Sequence, residues 1–198
     1  CMAKKLTAWL SIGSTYSYLT AMRIKKVVEE EDINLSIIPI SIRQIMKSMD
    51  NIPFPPSKKT KVKYMWRDIE RRASLYKVPV PKVPAPYPLK EFDRANLVGI
   101  VMNDKGLYLD YFKFTYEEWF LNGNEAGSKQ NLEVTLKKLG LDLQETIALA
   151  DTMEERYIEN TKQALDFGVF GVPSFSFSNE IFWGDDRLED AIRLAPQK

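Results

Sequence analysis

The chain has 198 residues, a net charge of +1 at pH 7 and a 44% hydrophobic, 28% charged composition. That is enough chain for one domain with an insertion or for two small ones, and no overall field draws it to nucleic acid or a membrane surface. It contains no histidine, which removes histidine general bases, the triads built on them and most zinc sites, so no metal is implied. The single cysteine, Cys1, reads as a cloning or processing scar, leaving no disulfide and no protein thiol for catalysis. No apolar run approaches the roughly 18 residues of a membrane span, no signal segment precedes the first strand, and the expected location is the cytoplasm.

The first stretch, 5–42, reads strand, helix, strand. Leu6, Ala8, Leu10 and Ile12 alternate. After Gly13 and Ser14 a helix places Thr20, Ala21, Ile24, Val27 and Val28 on one stripe. Leu35, Ile37, Ile38 and Ile40 then form a nearly continuous apolar run, as in a strand covered on both faces. The short return implies a parallel pair. The second stretch, 43–155, carries two proline-rich loops, at 53–56 and 79–88, and no strand signal. Met65, Ile69, Ala73 and Tyr76 share one helical face, as do Phe112, Thr115, Tyr116, Trp119 and Phe120, which read as core rather than substrate wall. Leu132, Leu136 and Leu139 continue the pattern up to Gly140 at a helix end. The third stretch, 156–198, reads helix, strand, strand, helix. Tyr157, Thr161, Ala164 and Leu165 form a face ended by Gly168. Pro173 opens a strand, a hairpin turns at 178–180, and Asp186 caps the last helix.

Two segments carry the chemistry. At Ser14-Thr15-Tyr16-Ser17 a strand runs into a helix, and at Val172-Pro173 a proline opens a distant strand, where it cannot donate to the ladder and sits for geometry. A cis bond there frees the backbone of Val172 to pair with a bound peptide. A helix start facing a strand-initial Val-Pro is the layout of the thioredoxin fold. The four positions that usually hold Cys-x-x-Cys read Ser-Thr-Tyr-Ser. The fold class is therefore α/β: a discontinuous thioredoxin-like domain, 5–42 plus 156–198, interrupted by an all-helical insertion, 43–155.

Motifs at matching spacing extend over most of the chain. Ser14 with Tyr16-Ser17-Tyr18-Leu19 forms the first. Asn51, Pro55-Pro56, Lys61, Tyr64-Met65, Asp68, Arg71 and Ala73 form the second. Asn160-Thr161, Phe170-Gly171-Val172-Pro173 and Phe182-Trp183-Gly184-Asp185-Asp186-Arg187-Leu188 form the third. In these the chain resembles the 2-hydroxychromene-2-carboxylate isomerases and their sister family, the kappa-class glutathione transferases. The resemblance implies a glutathione-dependent enzyme and a small, aromatic, electrophilic substrate, with a homodimer as the carried-over assembly. Thr15 stands where the family usually has proline, and Ser11 where its first strand often has aspartate.

The expected roles follow from residue chemistry and from that resemblance together. A hydroxyl at Ser14, beside unpaired helix-start N–H groups, would stabilise a bound thiolate by roughly 1.5–3 kcal/mol; the plainer role for Ser14 is a helix cap. Val172 and Pro173 are matched to the cysteinyl unit of glutathione. Asp185 and Asp186 are matched to its γ-glutamyl end, with simple capping the alternative for Asp186. Asn51 and Lys61 are matched to its glycyl carboxylate, although Lys61 also belongs to the solvated basic run 57–63. In the isomerase version the thiolate adds reversibly to a cyclic hemiketal, whose ring opens and rotates. A transferase version consumes the thiolate on an electrophile or peroxide. A third possibility is a thioredoxin-fold binding module without turnover.

Overall fold

The computed structural model describes residues 3–197; Cys1 lies outside the described residues. Four strands form one mixed sheet in the order β2-β1-β3-β4, from β1 (Lys4–Leu10), β2 (Ile33–Pro39), β3 (Ser174–Phe177) and β4 (Glu180–Trp183). β1 pairs parallel with β2, Ala8 facing Ile37, and antiparallel with β3, where Ala8 faces Phe175. β3 and β4 are an antiparallel hairpin whose turn holds Ser178 at φ 51°. β1 is central, so its side chains are buried on both faces. Leu6, Ala8 and Leu10 join the main apolar core, and Trp9 points into a second, smaller core with Ile42, Ile45, Ala164 and Val172.

Ten α-helices are described. α1 (Ser17–Ala21) and α2 (Ile24–Glu30) cross from β1 to β2, and α3 (Ile42–Ser48) follows. The helical stretch between β2 and β3 continues with α4 (Lys59–Leu75), α5 (Phe92–Asp104), α6 (Tyr108–Phe120), α7 (Lys129–Lys138) and α8 (Leu143–Ala150). α9 (Glu154–Phe167) precedes β3, and a 3₁₀ turn (Asp185–Arg187) leads from β4 into α10 (Leu188–Leu194). The aromatic face of α6 is interior: Phe112, Thr115, Tyr116, Trp119 and Phe120 are all buried. Phe120 stacks on Tyr18 of α1 with ring centroids 4.7 Å apart, and Trp66 of α4 meets it edge-on at 5.6 Å. Large buried rings in such contacts add about 0.5–1.5 kcal/mol per pair beyond their burial. One core thus joins the sheet to the helices of 43–155. Among the described residues no helix is long and apolar enough to cross a membrane.

The structure corrects three expectations. The helix after Ser14 breaks at Met22–Arg23, and its first segment is only five residues long. β2 is an edge strand, half-buried rather than covered on both faces, with Asn34 and Ser36 exposed. Helices α3, α5 and α8 fall in the stretch expected to be all-helical, at places where no individual helix had been delimited. Asp186 caps nothing: neither the 3₁₀ turn nor α10 has a side-chain cap, and the Asp186 carboxylate accepts from Arg187 instead.

Candidate active site

The segment between β1 and α1 is fastened from three sides. Asn96 of α5, fully buried, accepts from the Ile12 N–H through Oδ1 at 2.8 Å and donates to the Ile12 carbonyl through Nδ2 at 2.9 Å. Ser11 Oγ accepts from the Ile42 N–H, tying the strand end to α3. Tyr116 of α6 donates its hydroxyl to the Ser14 carbonyl at 2.6 Å. Gly13, at φ +133°, makes the turn in a backbone region that side chains disfavour. Ser14 therefore sits on a rigid arch. It is not a helix cap: α1 begins three residues later, with Tyr16 at its N-cap position and no side-chain cap bond.

Opposite the arch, Val172-Pro173 is a cis peptide. Ser14 Oγ reaches the Val172 carbonyl oxygen at 3.5 Å, so the two segments face each other as the layout requires. Gly171 is needed beside them, because a Cβ there would meet the Trp183 indole nitrogen at 2.5 Å. The Gly184 N–H donates to the Pro173 carbonyl, which joins the cis-proline segment to the turn that follows β4.

These segments line one cavity of about 710 Å³. All of the sequence-selected residues, Ser14, Asn51, Lys61, Val172, Pro173, Asp185 and Asp186, are in its wall. Part of that wall is apolar: Ile42, Met46, Ile52, Phe54, Phe170 and Trp183. Asn51 and Lys61 are exposed at the rim, with Lys61 Nζ 5.0 Å from the centre of the Phe54 ring.

Four side-chain hydroxyls belong to the wall, and three are committed elsewhere. Thr15 donates to the Met65 sulfur, Tyr16 to Asp68 at 2.7 Å, and Tyr87 to the Phe54 carbonyl at 2.8 Å. Burial, reinforced by the hydrogen bond to Asp68, pushes the Tyr16 phenol far above its ordinary range, so it stays protonated. Ser14 alone holds only a long contact, and its hydroxyl is the one available to a ligand.

The two acidic residues differ in environment. Asp186 is exposed and paired with its neighbour Arg187. Asp185 is buried, and its Oδ2 faces Arg72 Nε at 3.4 Å and the Tyr76 hydroxyl at 3.3 Å, both near the end of α4. Burial raises the Asp185 pKa, and the Arg72 guanidinium opposes that rise. From sequence, Tyr76 and Tyr116 read only as members of apolar helix faces, and Arg72 and Asn96 carried no signal for the site. Arg72 and Tyr76 sit at the end of α4, and Asn96 and Tyr116 lie among buried apolar neighbours.

The geometry and the family assignment agree on the class of protein. Residues 5–193 match the DSBA-like thioredoxin domain, and the chain belongs to that family. Within it, the chain is similar to the 2-hydroxychromene-2-carboxylate isomerase of Pseudomonas sp. (strain C18), 26% identical over 99% of this chain and 93% of the relative. It is also similar to the enzyme of that name from Sphingobium xenophagum, 25% identical over 95% of this chain and 96% of the relative. A solved structure of a 2-hydroxychromene-2-carboxylate isomerase superposes with a TM-score of 0.82 at 24% identity, covering 94% of this chain and 91% of that one.

Proposed function

We propose that the chain is a glutathione-dependent isomerase acting on a small aromatic electrophile of the 2-hydroxychromene-2-carboxylate kind. The observation that carries the reading is the single uncommitted hydroxyl, Ser14, set 3.5 Å from the backbone of a cis-proline segment in a wall with no cysteine and no histidine. Such a wall can hold and polarise a thiol but offers no protein thiolate or imidazole. The two curated relatives of nearly full coverage supply the reaction type.

The residues present fit glutathione. Val172 offers its backbone to the cysteinyl unit. The amides of Asp185 and Asp186 precede the first bond of the 3₁₀ turn, which Arg187 N–H donates to the Gly184 carbonyl, so they are free for a carboxylate. Lys61 and Asn51 stand at the rim for the glycyl carboxylate. Bound glutathione would supply a thiolate that adds reversibly to the substrate and leaves unchanged. Ser14 would donate a hydrogen bond to the sulfur and bias it toward the ionised form. The apolar wall at Ile42, Met46, Phe54 and Trp183 would exclude water from the aromatic ring.

The test is interconversion of 2-hydroxychromene-2-carboxylate and its ring-opened isomer, followed optically, with and without glutathione. Acceleration that depends on glutathione supports the reading. Calorimetry showing no glutathione binding refutes it.

A further inference from the structure

Asp185 is a buried side chain of the cavity wall with two side-chain donors on one carboxylate oxygen. Two donors at the end of α4 reach its Oδ2: Arg72 through Nε, and Tyr76 just past the helix, whose hydroxyl also accepts from the Arg72 guanidinium. Arg23, between α1 and α2, donates to the Asp185 backbone carbonyl at 3.4 Å. The same guanidinium pairs with Glu189 and lies 4.1 Å over the Tyr76 ring. Two arginines therefore flank one tyrosine behind the turn. The other carboxylate oxygen, Oδ1, accepts no hydrogen bond among the described residues and is not sealed from solvent, in a residue that lines the cavity. Asp186 presents a different arrangement, since it is exposed and already matched to Arg187.

We propose that Arg72 is a positioning residue for the ligand: with Tyr76 it holds Asp185 by one oxygen and leaves the other, charged, for an ammonium group in the cavity. This deepens the glutathione reading and rests on it. A carboxylate this buried has its charged form disfavoured by desolvation unless a counter-charge stays beside it. Arg72 is that counter-charge, and by bonding both Asp185 Oδ2 and the Tyr76 hydroxyl it keeps two donors on the same carboxylate oxygen. The ammonium is then met by Asp185, and the exposed Asp186 is left to Arg187 and solvent.

The experiment measures affinity by calorimetry, for glutathione and for its desamino analogue, γ-glutaryl-cysteinyl-glycine, which differs only in lacking the ammonium. Wild type is expected to bind glutathione at least about 10-fold more tightly than the analogue, the ratio for one charge-assisted hydrogen bond. In Arg72→Met that ratio should collapse to about 2-fold or less, with glutathione affinity falling and analogue affinity nearly kept; Arg72→Lys should restore part of it. A pH series adds a readout that mere loosening of the turn would not move. The groups facing Asp185 are Arg72 and Tyr76 at the end of α4, Arg23 ahead of α2, Tyr16 ahead of α1, and Asp186 in its own turn. Removing Arg72 takes away the main charge favouring the ionised carboxylate. Asp185 then takes up its proton at higher pH, so the small preference that Arg72→Met retains for glutathione is lost, as pH falls, at higher pH than in wild type.

The wild-type comparison stands even if Arg72→Met folds poorly. A wild type that binds both ligands equally overturns the inference and leaves the glutathione reading intact. An undiminished ratio in Arg72→Met also overturns the inference alone. A wild type that binds neither ligand overturns both.

Discussion

Replacing Ser14 with alanine separates a thiolate-holding hydroxyl from a structural one. The structure sets a small stability effect. The Ser14 hydroxyl is not a cap, and its one contact, to the Val172 carbonyl, is 3.5 Å long. A hydrogen bond at that distance is weak, so Ser14→Ala should lower stability by about 0.5 kcal/mol or less, as for an ordinary substitution away from a core, cap or buried network. The effect on a bound thiol should be larger. Deleting a hydrogen bond to a charged sulfur removes about 1.5–3 kcal/mol, which is roughly one to two pKa units. A thiol of intrinsic pKa about 8.5 held near 7 in the wild type would return close to its free value, and the thiolate fraction at pH 7 would drop by about tenfold or more. The assay is ultraviolet thiolate absorbance against pH at saturating glutathione, alongside urea melts of both proteins. Superimposed titrations would refute the role assigned to Ser14, whatever the melts show.

Asn96→Ala should be among the most damaging single changes to stability. It strands the Ile12 N–H and carbonyl and deletes a third bond, to the Phe92 carbonyl, for a loss of about 3 kcal/mol in unfolding free energy, read from urea melts. Gly171→Ala should displace Trp183, because the new Cβ would lie 2.5 Å from its indole nitrogen; tryptophan emission should shift and glutathione affinity fall, while an unchanged spectrum would place the adjustment elsewhere. With Cys1 replaced by serine, the protein should show no turnover in insulin reduction, since the Ser14–Ser17 segment contains no thiol to exchange.

How much of this was legible in the sequence depends on whether the determining contacts are local. Ser14 and Val172-Pro173 could be read because a strand end, a glycine and a strand-initial proline each leave a signature within a few residues. The partners of Asp185 could not, because Arg72 and Tyr76 lie 113 and 109 positions away. The same holds for Asn96, which grips Ile12 across 84 positions. α5 showed no stripe because it is buried nearly all round, from Ala95 and Asn96 to Met102, and a helix without a polar face has no 3.6-residue contrast to detect. β2 misled in the opposite direction. Its apolar residues invite a central position, yet Asn34 and Ser36 alternate outward on an edge. The break at Met22–Arg23 is also tertiary: the apolar spacing continues through Ile24 and Val28, but Arg23 turns to reach Asp185 and Glu189.

The loss of cysteine from this frame changes where reactivity resides without changing what the frame must do. A disulfide-exchanging protein needs its own sulfur at the turn between β1 and α1 and a backbone opposite to align the partner chain. Here the alignment parts are in place: the arch held by Asn96 and Tyr116, the cis Val172-Pro173 bond facing it, and the turn at Gly184 bonded to Pro173. The sulfur position is a serine, whose hydroxyl is a poor nucleophile without an adjacent base, and the chain has no histidine to serve as one. Three of the four hydroxyls in the wall are already bonded, which leaves the Ser14 hydroxyl, in only a long contact with the Val172 carbonyl, as the donor that the proposed function assigns to a foreign sulfur. Under the proposed function, a site built this way gains its reactive atom only with its ligand. Its rate should then follow how firmly that ligand is oriented, at the sulfur by Ser14 and at the far end by the Asp185 turn.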